Sequence, residues 1–104
     1  MQSVTSNAVA GAINDTIKIQ SFTRNINIQP NDDTNVSFNL SSISGYTPIF
    51  ITSIQPSVNN NNASTVQGFW IENDTAIIST GNRGSIVLSG SLTIKVGYIK
   101  NIFI

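Results

Sequence analysis

Gly68-Phe-Trp-Ile-Glu-Asn-Asp-Thr-Ala-Ile-Ile-Ser79 reads as a β-hairpin. A two-residue loop at Asn73-Asp74 pairs Glu72 with Thr75, Ile71 with Ala76, Trp70 with Ile77 and Phe69 with Ile78. Side chains alternate across a strand, so Phe69, Ile71, Ala76 and Ile78 share one face, which we assign to the core. Gly68, Trp70, Glu72, Thr75, Ile77 and Ser79 share the other.

Period-two patterning continues on both sides of this hairpin. Ile17 and Ile19 alternate with Lys18 and Gln20. Ile26 and Ile28 alternate with Asn25, Asn27 and Gln29, until Pro30 removes a ladder donor and closes the strand. Asn31 to Asn35 reads as a turn. Val36, Phe38 and Leu40 then alternate with Ser37, Asn39 and Ser41. Ser44-Gly-Tyr-Thr-Pro48 turns the chain, and Ile49 to Ile54 is an apolar run expected to be covered on both faces. After the polar tip Asn59–Asn62 come strands at 66–72, 75–80, 85–90 and 91–100. They are divided by Asn73-Asp74, Gly81-Asn-Arg-Gly84 and Gly90. After the Gly81–Gly84 turn the register is open by one residue, which would exchange the faces of Ile86, Val87 and Leu88. Seven to eight short strands with regular turns predict an all-β fold, an antiparallel sandwich or barrel, of which we take the jelly-roll-like β-sandwich.

Ahead of the strands, Ser-Val-Thr-Ser-Asn-Ala-Val-Ala-Gly-Ala-Ile at 3–13 has helical spacing. Thr5 or Ser6 can cap it; with Thr5 as cap, Val4 and Val9 stand at hydrophobic-staple positions. Ala8, Val9, Ala12 and Ile13 form one narrow apolar face. Two turns of helix are marginal in water unless something packs on them. The expected division is a short helix over 1–15 and a sandwich over 16–104.

Composition narrows the function. Five basic and five acidic residues balance to zero, and polarity rests on 14 Asn, 14 Ser and 10 Thr. Five scattered basic residues make no footprint for a phosphate backbone, so nucleic acid is not expected. No stretch approaches the roughly 20 apolar residues of a membrane helix, and none after Met1 has the pattern of a signal peptide. Without Cys there is no disulfide or thiolate metal site. Without His or Cys, the Ser-His-Asp and Cys-His catalytic arrangements are excluded. Glu72 and Asp74, about 7 Å apart on one side of an extended chain, have a separation an inverting glycosidase uses. Nothing nearby could dehydrate either carboxylate enough to raise its pKa, so no enzyme is expected. Asn31, Asp33 and Asn35 imitate a calcium loop, but Val36 and Ser42 stand where the loop needs Gly and Glu. No metal or cofactor is expected.

The 3–13 segment resembles the S-V-T-S-N-A-V-A-x-A-(I/L) junction of tailed-bacteriophage tail-fibre and baseplate proteins. "I-S-G-Y-T-P" from Ile43, "G-F-W-I" from Gly68 and "V-G-Y-I-K" from Val96 resemble C-terminal domains of gut-phage and prophage tail proteins. The resemblance implies the end of a trimeric stalk followed by a receptor-binding tip, in a virion and extracellular after release. Its partners would be two further copies of itself, a host cell-surface glycan and other tail or baseplate proteins. The alternative is a structural module that ends or joins a fibre and holds no ligand of its own.

The residues divide along the same lines. The helix and the apolar closing Asn-Ile-Phe-Ile predict a homotrimer with Val4, Val9, Ile13 and Phe103 at its interface. A stalk at one end turns the opposite loops toward the host, which points to Asn60, Asn61 and Arg83 as saccharide ligands. Trp70, beside Gly68 and Glu72, can stack on a sugar, pack against a neighbouring subunit or fill the chain's own core. Tyr46, beside Gly45 and Pro48, has the same choices, with turn packing favoured.

Overall fold

The computed structural model describes residues 15–104. The expected N-terminal helix, with Val4, Val9 and Ile13, lies outside them. Six strands follow in order: β1 (Ile17–Ile28), β2 (Asp33–Asn39), β3 (Tyr46–Val58), β4 (Ser64–Glu72), β5 (Thr75–Asn82) and β6 (Leu88–Lys100). They form two three-stranded antiparallel sheets, ordered β1-β6-β3 and β2-β5-β4. The inner faces share one core in a sandwich-like arrangement. Leu92, Ile94, Val96 and Tyr98 of β6 form its centre, with Ile26 and Ile28 of β1, Val36 and Phe38 of β2, and Ala76 and Ile78 of β5.

The strand count is six rather than seven to eight, fewer than the eight of a jelly roll. Two expected breaks are absent. β1 runs unbroken from Ile17↔Ile99 to Ile28↔Leu88, although its apolar phase changes from odd to even residues between Ile19 and Phe22. Gly90 lies within β6 at φ 149, where a Cβ would overlap the carbonyl of Ser57, so glycine keeps the strand continuous there. Residues 85–87 form a loop, with Ile86 and Val87 exposed and Leu88 buried in the core.

β3 also departs from expectation. It is an edge strand, a place that tolerates Pro48 and Pro56. Register shifts between Pro48 and Phe50 and between Ile51 and Ser53 insert Ile49 and Thr52 as extra residues. The 49–54 run is therefore not covered on both faces: Ile49 and Phe50 are exposed, and Ile51 and Ile54 only half-buried.

The topology gives the molecule two ends. At one lie the start of β1, the Asn73-Asp74 turn, the 40–45 connection and residues 101–104. At the other lie the β1–β2, β3–β4 and β5–β6 loops.

Candidate functional site

The three loops at the second end are bonded into one platform. Arg83 N–H donates to the Ala63 carbonyl at 2.8 Å, and Asn82 N–H to the Asp32 carbonyl at 2.9 Å. Asn59 copies a strand neighbour: its Nδ2 donates to the Val87 carbonyl at 3.0 Å, and its Oδ1 accepts from Ser89 N–H at 3.0 Å. Asn60 ends the approach to a single 3₁₀ turn, Asn61–Ala63, and its carbonyl accepts from Ala63 N–H. Asn60 is half-buried, whereas Asn61 and Arg83 are exposed.

Arg83 also reaches Asp33 at 3.4 Å, and Asp33 Oδ1 accepts from Gln67 Nε2 at 2.9 Å. An ion pair this exposed contributes little stability. It orients Arg83 over the loops instead. The topology thus brings Asn60, Asn61 and Arg83 to one end.

Beside this platform, a groove of ≈ 170 Å³ opens between the edges of β1 and β2. Arg24, Asn25, Asn27, Thr34 and Asn35 give it a polar lining, with Ile26 and Val36 beneath. Arg24 Nη1 donates to the Ser37 carbonyl at 2.6 Å, which ties the two sheets across the opening. The sequence contained a signal for this groove, since Asn25 and Asn27 alternate with a buried Ile26. Only the topology places Thr34 and Asn35 opposite them.

Trp70 does not join this platform. The hairpin has the expected register, with a two-residue turn at Asn73-Asp74 and Asn73 at φ 56. Ala76 and Ile78 are fully buried and Ile71 is packed against the core. Phe69 is not a core residue: it is 54% exposed. Its strand is at the sheet edge, and the bulges of β3 bend that strand at the same level. Between them opens a groove of ≈ 220 Å³ lined by Ile49, Phe50, Ile51, Phe69, Trp70 and Ile71. Trp70 is 43% exposed at its mouth, toward the turn end of the molecule, so it does not fill the chain's own core.

The first end carries a polar clamp. Lys100 Nζ meets Asp15 Oδ2 at 2.5 Å, and the Tyr46 hydroxyl donates to the Asp15 backbone and carboxylate. Lys18 Nζ stands 5.1 Å from the centre of the Tyr46 ring. The Lys100 hydrogen bond, then that of Tyr46, holds the Asp15 carboxyl below its usual value. The same bond to Asp15 raises Lys100. Tyr46 is thus a clamp residue at the start of β3. Phe103 is exposed on the 3₁₀ turn after β6.

Among the described residues, no group of three or more acidic residues gathers into a metal cluster, and no helix is long and apolar enough to cross a membrane. Glu72 ends β4, and Asp74 is in the turn, where its carbonyl accepts from Leu40 N–H. No protein family matches the chain, and no curated protein or solved structure matches it either.

Proposed function

We propose that this chain is the receptor-binding tip of a bacteriophage tail fibre or tail, working as a homotrimer on a host-surface saccharide. The carrying observation is the platform that knits three loops together at the end away from Ile17 and presents Asn61 and Arg83 to solvent. Recognition residues are commonly loop residues held by a rigid scaffold. Asn side chains offer a donor and an acceptor side by side, which suits vicinal hydroxyls, and the neighbouring Asn-rich groove extends the same chemistry. The 3–13 segment would end a stalk at the opposite end, as in the proteins it resembles. The domain then acts in the virion, outside the cell after release, without catalysis.

Replacing Asn60, Asn61 and Arg83 together by Ala is expected to abolish adsorption of the purified domain to its host cells while the oligomer persists. Unchanged adsorption would exclude this end as the receptor site. A second reading has its own observation. The apolar groove at Trp70 suits contact with protein, as in a structural module that ends a fibre. In that case neither the wild type nor the triple variant adsorbs to cells.

A further inference from the structure

We propose that the outer face of β1-β6-β3 at its Ile17 end, together with the β3/β4 groove, is the surface on which a second copy of this chain docks. The phase change in β1 carries the argument. Ile26 and Ile28 face the core, but the unbroken register with β6 turns Ile17 and Ile19 to the outer face, beside Ile99 and Gly97. The inner face at the same level carries Lys18, Tyr46 and Lys100 of the polar clamp. β1 has thus exchanged its apolar side at this end, while β6 keeps Val96 and Tyr98 in the core, and among the described residues no strand covers the outer side.

This face is built rather than incidental. Phe50 pairs with Gly97 and lays its ring where a Cβ of residue 97 would stand. The same Phe50 lines the groove with Phe69 and Trp70, so the apolar surface continues from Ile19 around the sheet edge.

Area and charge identify the occupant. Nine large apolar residues at this end, counting 102–104, are 37–75% exposed. At about 200 Å² per large side chain, the six on the face and groove expose roughly 500 Å² per copy, and residues 102–104 at the same end roughly 400 Å² more. A standard interface takes about 800 Å² from each partner, and the largest patch on a typical monomer is about 300–600 Å². No charged side chain lines the groove, and on the outer face the first charge met in register is the exposed Lys95, two residues beyond Gly97. Symmetry sets like residues near one another, and an apolar patch with its charge at the margin meets its own copy with little repulsion. An anionic lipid surface would instead need clustered Lys or Arg. Docking is face to face, because Pro48, Pro56 and two bulges spoil the β3 edge for strand pairing.

The inference specifies the surface for the self-association in the proposed function, and its test does not depend on any receptor. Trp70 is the only tryptophan, so its emission reports the patch. On dilution from high micromolar to nanomolar protein, its emission is expected to shift red and acrylamide quenching to rise, as light scattering shows loss of the oligomer. Ile19→Glu, across Phe50 from Trp70, should weaken association by about tenfold or more with an unchanged circular dichroism spectrum. Ile86→Glu, at the loop end, should leave association unchanged. A wild type monomeric at high micromolar concentration, or an Ile19→Glu variant that associates like wild type, would overturn the docking surface. Failure of the Asn60/Asn61/Arg83 variant to lose adsorption, with these dilution results intact, would overturn only the receptor reading.

Discussion

Asn82 is the most heavily used polar side chain in the core. It is fully buried, and its Nδ2 donates to the carbonyls of Ile28 at 2.9 Å and Ile86 at 2.7 Å. Its Oδ1 accepts from Gly84 N–H at 2.8 Å. One side chain therefore ties the end of β1 to both sides of the β5–β6 loop. Asn82→Leu preserves bulk but strips three backbone groups of partners, at a cost of about 3 kcal/mol. Urea unfolding should show the loss, and a change under about 0.5 kcal/mol, the usual range for surface substitutions, would refute the network's importance. Gly97→Ala tests a steric relation instead. The added methyl displaces the Phe50 ring and should cost about 1–3 kcal/mol, most of it recovered in a Gly97→Ala/Phe50→Ala double variant. Neither role was legible in the sequence. Asn82 stood inside what reads as a Gly-Asn-Arg-Gly turn, and a glycine beneath an aromatic ring looks like any other strand glycine.

Legibility differed from one element to the next for physical reasons. The β4–β5 hairpin could be read in full register because two residues between complementary strands leave one pairing. Burial of Phe69 could not be read, since it depends on β3, a strand distant in sequence whose bulges open the groove. β1 misled in the opposite way: an inverted apolar phase suggested two strands, while the backbone made one strand with two differently covered faces. That strand begins at the Asp15 clamp, which supports a pH prediction. The carboxyl of Asp15 titrates below its ordinary 3.8 in the folded chain because Lys100 and Tyr46 hydrogen-bond it. Its stabilisation is therefore present above that value and lost as pH falls through the lower folded value. Asp15→Asn should be less stable than wild type at neutral pH, with the gap closing in acid and narrowing in high salt. Chemical denaturation across pH checks this, and a gap independent of pH would refute the clamp.

Across the whole molecule, strand order decides which strand the fold depends on. The Asn-rich tip and the Gly81–Gly84 region were legible as loops, but their end of the molecule was expected from the stalk that the resemblance implies and not from the strand count. Eight alternating strands would have turned both loops to the end where the first strand begins; merging 17–20 with 26–29 into β1 removes one reversal ahead of them and puts them at the other end, away from Ile17. Sheet order was not legible, because long-range pairing leaves no local sequence mark. β6, last in the chain, lies at the centre of its sheet and pairs with both β1 and β3. Its partner Ile17 is reached from Ile99 across nearly the full described length. Only β4 and β5 are both consecutive and paired. Non-local pairing of this kind slows folding to the millisecond-to-second range typical of β-sandwiches. A chain ending at Val87 keeps the hairpin and β2 but leaves β1 and β3 without the strand both pair with. It also removes Leu92, Ile94, Val96 and Tyr98 from the core. Such a chain is expected to be unfolded, with no cooperative thermal transition by circular dichroism and collapsed amide dispersion by NMR. A cooperative transition in it would mean that β2-β5-β4 forms a stable unit without the opposing sheet, against the single shared core described here.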